Sequence, residues 1–188
     1  AYSICSSSDS DELRVAIKEV EQGNFSVYAN KDLKASDHLE VTTPEGKFVL
    51  NIDSDHNKNY LAFVAGSGIT PVFSMIRSVL EIEKDSNFIL VYGNRSKEET
   101  IFKSELDQLA DEFKDRFKVY YSFSQEKNDN TYSGRIDAEI VEDVLKNNQS
   151  QVIFNEYFIC GPEVMIDLVE ETLYVNNVDK ELIKYELF

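Results

Sequence analysis

Tyr60-Leu-Ala-Phe-Val-Ala-Gly-Ser-Gly-Ile-Thr-Pro71 is the stretch of sequence that decides the fold. It joins a short apolar run to a loop with two glycines, and then to residues 71–81, where apolar side chains recur at helical spacing. Uncharged apolar runs of this length are typical of strands buried in a parallel sheet. The stretch therefore predicts a strand–loop–helix unit of an α/β protein.

The same alternation continues along the rest of the chain. Apolar runs that predict strands lie at 88–92, 118–122, 157–160 and 181–187. Helical patterns lie at 71–81, 136–145 and 164–173. Ser96 and Glu99 form a capping-box pair, which predicts another helix beginning there. Such an alternation predicts a doubly wound parallel sheet that binds ligands at the carboxyl ends of its strands.

Residues 1–59 follow a different pattern, in which apolar and polar residues first alternate with the period of an antiparallel strand. The expected elements are strands at 13–17, 39–41 and 48–50 and a helix from 23 to 33. The polar stretch 53–59 then marks a boundary. We therefore expect a partial antiparallel barrel in residues 1–55 and an α/β domain in residues 56–188.

The composition narrows the class of protein. Lysine and arginine total 19 against 35 aspartates and glutamates, a net charge of −16, which argues against nucleic acid or an anionic membrane as partner and suits a basic partner. Two cysteines, Cys5 and Cys160, exclude a disulfide framework and an iron–sulfur cluster within the chain. His38 and His56 are too few for a histidine metal site. There is neither an apolar run of about 20 residues nor a signal-peptide pattern, so we expect a cytoplasmic protein.

The loop Ala65–Pro71 is the first candidate for ligand binding. Gly66 and Gly68 would let the backbone approach a pyrophosphate, whose charge the amides and the helix dipole attract. The loop is not a Walker loop, and Pro71 occupies the position of the third glycine in the dinucleotide fingerprint. The alternative is a tight turn without a ligand.

The second candidate is Cys160, which ends the run Tyr157–Cys160 and precedes Gly161 and Pro162. A free cysteine is usually a small buried apolar residue, and neither histidine is associated with this motif to act as its base. We therefore do not expect a nucleophile, although a thiol packed beside a cofactor fits the position. The acidic stretch around Asp53 is read as a solvated loop and not as a metal site.

Taken together, the motifs resemble the ferredoxin–NADP reductase superfamily over essentially the whole chain. The motifs that occur in the superfamily's order are Tyr2-Ser3, Gly23–Ser26, Ala65–Pro71, Cys160–Pro162 and Glu186–Phe188. Those that resemble the phenylacetate-degradation branch, the reductase components of phenylacetyl-CoA monooxygenase systems, are Tyr2–Cys5, Tyr92–Arg95, Phe123–Glu126, Gly134–Asp137 and Phe158–Pro162.

The resemblance implies FAD on the antiparallel barrel and NADH or NADPH on the α/β domain. Tyr2 would stack on the isoalloxazine, and Ser3 would hydrogen-bond near its N5. The FAD pyrophosphate would lie at the start of the first helix. The cofactor-binding residues implied in the amino-terminal part are Tyr2, Ser3, Ile17, Lys18, Gly23, Asn24, Phe25 and Ser26.

For the α/β domain, the resemblance implies that Gly66, Gly68 and Thr70 hold the pyrophosphate of the nicotinamide cofactor. The other cofactor-binding residues implied there are Ser67, Pro71, Asn94, Arg95, Ser124, Gln125, Arg135, Cys160, Gly161, Pro162 and Met165.

The catalytic residues implied by the resemblance are Ser3, Cys160, Glu186 and Phe188. Cys160 would line the nicotinamide pocket, and Glu186 would belong to the polar network of the active site. Phe188 corresponds to the aromatic residue that covers the flavin until nicotinamide displaces it.

The chain also departs from the pattern of the superfamily. The arginine of the flavin motif and about half of the barrel would precede Ala1, and the plant-type [2Fe–2S] domain of this branch would follow Phe188, so we expect the middle of a longer reductase. Gln125 stands where plant-type reductases have an arginine for the 2′-phosphate. Arg95 and Arg135 are the alternative candidates for binding the 2′-phosphate. The choice between NADH and NADPH is therefore left open.

We therefore expect an FAD-dependent NAD(P)H reductase that passes electrons to an iron–sulfur domain or ferredoxin serving an oxygenase component. An uncovered half barrel would also favour homo-oligomers through residues 1–50. One alternative is a module that senses NAD(P)H without turnover. The other is a flavodoxin-like electron carrier, which is disfavoured because the Gly-Ser-Gly loop is not rich in serine and threonine.

Overall fold

The computed structural model describes residues 2–126, 132–149 and 152–187, and its centre is a six-stranded sheet in the order β4-β3-β2-β1-β5-β6. The strands are β1 Asn59–Ala65, β2 Asn87–Asn94, β3 Phe117–Phe123, β4 Tyr132–Ser133, β5 Glu156–Gly161 and β6 Ile183–Leu187. The helices are α1 Asn24–Lys31, α2 Ile69–Ile82, α3 Lys103–Glu112, α4 Ala138–Gln149 and α5 Glu163–Val175. Each pair of neighbouring strands in this sheet is parallel.

Helices cover both faces of the sheet, and alternate residues of the central strands therefore enter two separate cores. Tyr60 and Val64 of β1 pack with α2 and α3, whereas Leu61 and Phe63 pack with α4 and α5. All four side chains have no exposed surface. Burial on both faces explains why this strand is an unbroken apolar run in the sequence, and it confirms the α/β fold with a doubly wound parallel sheet.

The helix expected from Ser96 begins only at Lys103, so this prediction is wrong. The amide of Glu99 does donate to Oγ of Ser96 at 3.3 Å, but the contact belongs to a turn. Phe102 has a left-handed backbone with φ of 59°, and its ring stacks on Phe73 at a centroid distance of 4.4 Å. A tertiary contact therefore sets the start of α3.

The amino-terminal part confirms the short helix as α1, but the strands expected at 13–17, 39–41 and 48–50 are absent from the described structure. Among residues 2–58, which the structure describes, one antiparallel bridge forms, between Ile4 and Val15. A strand is held by hydrogen bonds to a neighbouring strand, and the described residues provide no such neighbour. Apolar side chains consequently stay in solvent, with Leu13 77% and Val41 84% exposed.

Residues 4–8 lie against α2, which also begins at the glycine loop. Ser74 Oγ donates to the carbonyl of Ser6 at 2.6 Å, and the amide of Ser8 donates to Oγ of Ser78 at 2.9 Å. One helix thus contacts both the amino-terminal segment and the loop that follows β1.

A second contact between the amino-terminal part and the α/β sheet involves Glu156 of β5. Lys184 Nζ lies 2.7 Å from its carboxylate and donates to the carbonyl of Val49 at 3.2 Å, and Lys58 binds the other carboxylate oxygen. Burial alone would raise the pKa of Glu156, but the two lysines outweigh it and hold that pKa below its usual range. The carboxylate is therefore ionised at neutral pH.

Across the described ranges, no helix combines the length and the apolar character needed to cross a lipid bilayer.

Candidate functional site

A cleft of about 960 Å³ lies at the carboxyl ends of the strands. Its lining residues are Lys18, Ala65, Gly66, Ser67, Gly93, Asn94, Arg95, Glu99, Ile101, Ser124, Gln125, Gly134, Arg135, Ile136, Asp137, Pro162, Val164, Met165 and Leu168. All of them except Lys18 lie at or after the carboxyl ends of β1 to β5, so the cleft opens where the strand order reverses beside β1. In doubly wound sheets this switch point is where ligands bind, and the volume suits a dinucleotide.

The loop after β1 forms one wall of the cleft as a single tight turn over Gly66–Gly68. Gly66 has a φ of +54°, in the left-handed region that favours glycine. The hydroxyl of Thr70 is buried and donates to the carbonyl of Ser67 at 3.1 Å. Thr70 therefore stabilises the turn, and its hydroxyl proton is already used within the protein.

Gly68 has a packing role that the sequence pattern does not reveal. A Cβ on Gly68 would lie 2.4 Å from the carbonyl oxygen and 2.8 Å from the carbonyl carbon of Cys160. The absent side chain lets the start of α2 contact the end of β5. Gly68 does not line the cleft, whereas Gly66 and Ser67 do.

The opposite wall consists of the ends of β2 and β3, which are joined by backbone hydrogen bonds. The amide of Ser124 donates to the carbonyl of Asn94, and the amide of Gln125 donates to that of Arg95, both at 3.0 Å. The side-chain Nδ2 of Asn94 is buried and has no hydrogen-bond partner within the described ranges. A buried donor without a partner is costly, so an acceptor on a ligand that reached this amide would be stabilised by it.

The cleft is locally more basic than the chain as a whole, which carries a net charge of −16. Lys18, Arg95 and Arg135 outnumber the acidic lining residues Glu99 and Asp137. In the described structure neither arginine forms an ion pair. Exposed cations beside backbone amides attract an anionic ligand.

Cys160 lies behind the glycine loop, with no exposed surface. It is the register neighbour of Glu186 on β6. Burial, with a smaller contribution from the nearby Glu186 carboxylate, raises the pKa of the Cys160 thiol to about 12. Burial also raises the pKa of Glu186. The thiol is therefore neutral at physiological pH, and a neutral thiol is a weak nucleophile.

An aromatic group defined by Tyr2, Phe25 and Tyr28 lies on the amino-terminal part. Ring centroids are 5.5 Å apart for Tyr2–Phe25 and 6.2 Å apart for Phe25–Tyr28. All three rings are about two-fifths exposed. The fold thus brings Tyr2 to the start of α1.

The other residues that the resemblance assigns to the flavin site differ in their burial and in what they contact. Ser26 is buried, and its hydroxyl accepts from the amide of Val20 at 3.2 Å. Ile17 and Lys18 lie in a smaller cavity of about 310 Å³ together with Ser67 and Thr70, between the two parts of the chain. Phe188 lies outside the described residues.

The cleft contains both predicted and unpredicted residues. Ten of the predicted cofactor-binding residues line it: Lys18, Gly66, Ser67, Asn94, Arg95, Ser124, Gln125, Arg135, Pro162 and Met165. The residues missed by the prediction are Ala65, Gly93, Glu99, Ile101, Gly134, Ile136, Asp137, Val164 and Leu168. Gly93 and Gly134 directly precede the predicted residues Asn94 and Arg135 at strand ends. This adjacency in the sequence could have identified them. Ile101 and Leu168 carry no such signal.

This fold and cleft define an NAD-binding oxidoreductase domain, and comparison with known families agrees. Residues 63–171 match the family model described as oxidoreductase NAD-binding domain. The chain belongs to this family.

Three known proteins show how far the similarity extends. The chain is 37% identical over its full length to a subunit of the 1,2-phenylacetyl-CoA epoxidase of Escherichia coli, and spans 53% of that protein. It is 28% identical, over 96% of its length and 51% of the relative's, to the reductase component of propane 2-monooxygenase of Mycolicibacterium smegmatis. The chain thus spans about half the length of these curated relatives.

The third is a solved structure, the flavohem-like FAD/NAD binding domain of nitric oxide dioxygenase from Vibrio cholerae. It matches with a TM-score of 0.81 and 22% identity, covering 100% of this chain and 76% of the other. At this identity the match shows that the two chains share a fold.

Proposed function

We propose that this chain is the NAD(P)H-binding part, with the adjoining flavin-facing segment, of an FAD-dependent NAD(P)H reductase. The observation that carries the proposal is the dinucleotide-sized cleft at the switch point, whose walls combine the Gly66–Gly68 turn, the unpartnered amide of Asn94 and two exposed arginines. The aromatic group on the amino-terminal part supports a flavin nearby, because planar rings stack on half-exposed aromatic faces.

We also propose that residues 1–55 are the carboxyl-terminal part of an FAD-binding barrel, and that electrons leave FAD for an iron–sulfur acceptor serving an oxygenase. Two similar proteins are named as parts of an epoxidase and a monooxygenase, which supports an oxygenase partner. The exposed apolar side chains of residues 13–41 support a further covering segment, or a second copy of the chain, on this face.

The residues of this chain perform binding and orientation. FAD, when bound, supplies the redox chemistry by accepting a hydride and releasing single electrons. The turn at Gly66 presents backbone amides to the pyrophosphate, and the arginines bind the phosphate of the adenosine half. Tyr2 supports the flavin ring from the amino-terminal part. Cys160, uncharged and buried, packs behind the Gly66–Gly68 turn.

The decisive experiment mixes the purified chain with FAD and NADPH or NADH without oxygen. We expect the nucleotide to bind with a Kd in the micromolar range and the visible absorbance of FAD to fall faster with the chain than without it. Nucleotide binding is followed in the absence of FAD by the fluorescence of the reduced nicotinamide ring. Absence of nucleotide binding would contradict the proposal. Binding without flavin reduction, also in a version extended by an amino-terminal barrel, would favour the sensing module.

We expect Arg95→Ala and Arg135→Ala each to weaken NADPH binding about tenfold while changing the Kd of NADH less than twofold. A charge-assisted hydrogen bond to phosphate contributes about 1.5–3 kcal/mol, and only NADPH carries the 2′-phosphate. Titration of both nucleotides measures the difference. Arg77→Ala is the matched control, since Arg77 pairs with Glu81 on α2 and does not line the cleft. An equal loss for NADH and NADPH would show that these arginines do not select the phosphate.

A further inference from the structure

Tyr92 connects the two walls of the cleft from behind. It belongs to β2, has no exposed surface and does not line the cleft. Its hydroxyl donates to the carbonyl of Gly66 at 2.9 Å and lies 3.4 Å from the carbonyl of Ile101. Gly66 and Ile101 both line the cleft, on the loops after β1 and β2. A single buried phenol therefore contacts the backbone of both loops.

The contact with Gly66 fixes the direction of one peptide group. The chain has no cis peptide bond in its described part, so the carbonyl of Gly66 and the amide N–H of Ser67 point in opposite directions from one rigid plane. The carbonyl also accepts from the amide of Ile69. With its carbonyl held on the side of Tyr92, this peptide directs the Ser67 N–H to the other side, and Ser67 itself lines the cleft.

We propose that Tyr92 is a positioning residue for nucleotide binding, which holds the Gly66–Ser67 peptide so that the Ser67 amide donates to a phosphate oxygen of the dinucleotide. Glycine at position 66 adopts the left-handed backbone easily, but for the same reason it can also leave it. The Tyr92 hydroxyl removes that freedom before the ligand arrives, so binding does not have to order the turn. This inference rests on the proposed function, because it assigns a role within the same cleft.

Burial suits Tyr92 to this role. The phenol is held between packed elements, and burial raises its pKa above its ordinary value, so it remains a proton donor throughout the physiological range. A hydroxyl at this depth is retained only where its hydrogen bond compensates for the lost water. The carbonyls of the two cleft loops accept from this hydroxyl, and the side chain of Asn94 lies within hydrogen-bonding reach of it.

Tyr121 of β3 offers a matched control. Its ring lies 6.4 Å from that of Tyr92, it is also buried, and its hydroxyl donates to Asp107 at 2.8 Å. It touches neither cleft loop through its hydroxyl. Tyr121→Phe therefore removes the same oxygen atom from the same region without releasing the Gly66 peptide.

The test is a titration of NADPH into wild type, Tyr92→Phe and Tyr121→Phe. We expect the Kd to rise about 5- to 10-fold in Tyr92→Phe, the effect of one lost orienting hydrogen bond, and to change less than twofold in Tyr121→Phe. Equal affinity of Tyr92→Phe and wild type, or an equal loss in both variants, would overturn the inference while leaving the proposed function intact. Failure of the wild type to bind would overturn both.

Amide hydrogen exchange supplies a second readout. In the wild type, NADPH should slow exchange of the Ser67 amide, and this protection should be lost in Tyr92→Phe. If Tyr92→Phe does not fold, exchange in the wild type still tests whether the Ser67 amide donates to the nucleotide. Protection of Ser67 by NADPH is the expected result, and unchanged exchange at Ser67 on saturation would overturn the assignment.

Discussion

Gly68→Ala is expected to lower the free energy of unfolding by about 2–3 kcal/mol and to weaken nucleotide binding at the same time. The added methyl would lie 2.4 Å from the carbonyl oxygen and 2.8 Å from the carbonyl carbon of Cys160. Both are backbone atoms of β5, which is hydrogen-bonded on both sides in the sheet. Since the strand cannot yield, the start of α2 has to move, and the turn that lines the cleft moves with it.

Urea unfolding and titration of NADPH measure the two effects. Gly66→Ala is the control, because a Cβ there would meet no atom within 4 Å and only the left-handed backbone, with φ of +54°, opposes it. We expect that variant to lose about 1 kcal/mol. A Gly68→Ala protein within about 0.5 kcal/mol of the wild type would show that α2 and β5 adjust more easily than their packing indicates.

The second large effect concerns Glu83, a carboxylate with no exposed surface near the amino end of the sheet. Tyr60 donates its hydroxyl to Oε2 of Glu83 at 2.9 Å, and the amide of Asp53 donates to Oε1 at 3.2 Å. Nδ1 of His56 lies 2.9 Å from the same Oε1. This carboxylate thus binds the segment 53–56 to α2 and β1.

Glu83→Ala should therefore lower the free energy of unfolding by about 3–4 kcal/mol, because the buried Tyr60 hydroxyl and the Asp53 amide lose their acceptor. Limited proteolysis should also cut the segment 53–58 faster. Chemical denaturation gives the first quantity. Glu81→Ala is the control, since Glu81 forms a half-exposed pair with Arg77 and should cost less than about 0.5 kcal/mol. Similar losses in both variants would contradict a special role for Glu83.

The sequence predicted the α/β half well because its strands are buried on both faces. A strand such as β1 leaves no polar face, so its apolar run and its limits coincide within a residue or two. The start of α3 was not predictable, because it depends on the stacking of Phe102 on Phe73, residues far apart in the chain. The strands expected before residue 53 failed for a related reason: alternation predicts a strand only where a partner strand is present.

The candidate site was predicted where it consists of strand ends, since parallel strands bring their carboxyl ends to one edge of the sheet. Arg95, Ser124 and Pro162 line the cleft for this reason. The contacts that support the cleft from behind were not predictable. Tyr92 reaches Gly66 across 26 residues, and Gly68 meets Cys160 from another strand. Local patterns contain no information about such pairs.

The burial of Cys160 has a consequence for the resistance of the protein to oxidative damage. Peroxide attacks the thiolate and not the thiol, and burial raises the pKa of Cys160 to about 12, far above physiological pH. The sulfur also has no exposed surface through which an oxidant could reach it. Cys160 would therefore survive exposure to peroxide as an unmodified thiol, and the packing of β5 against Gly68 would persist.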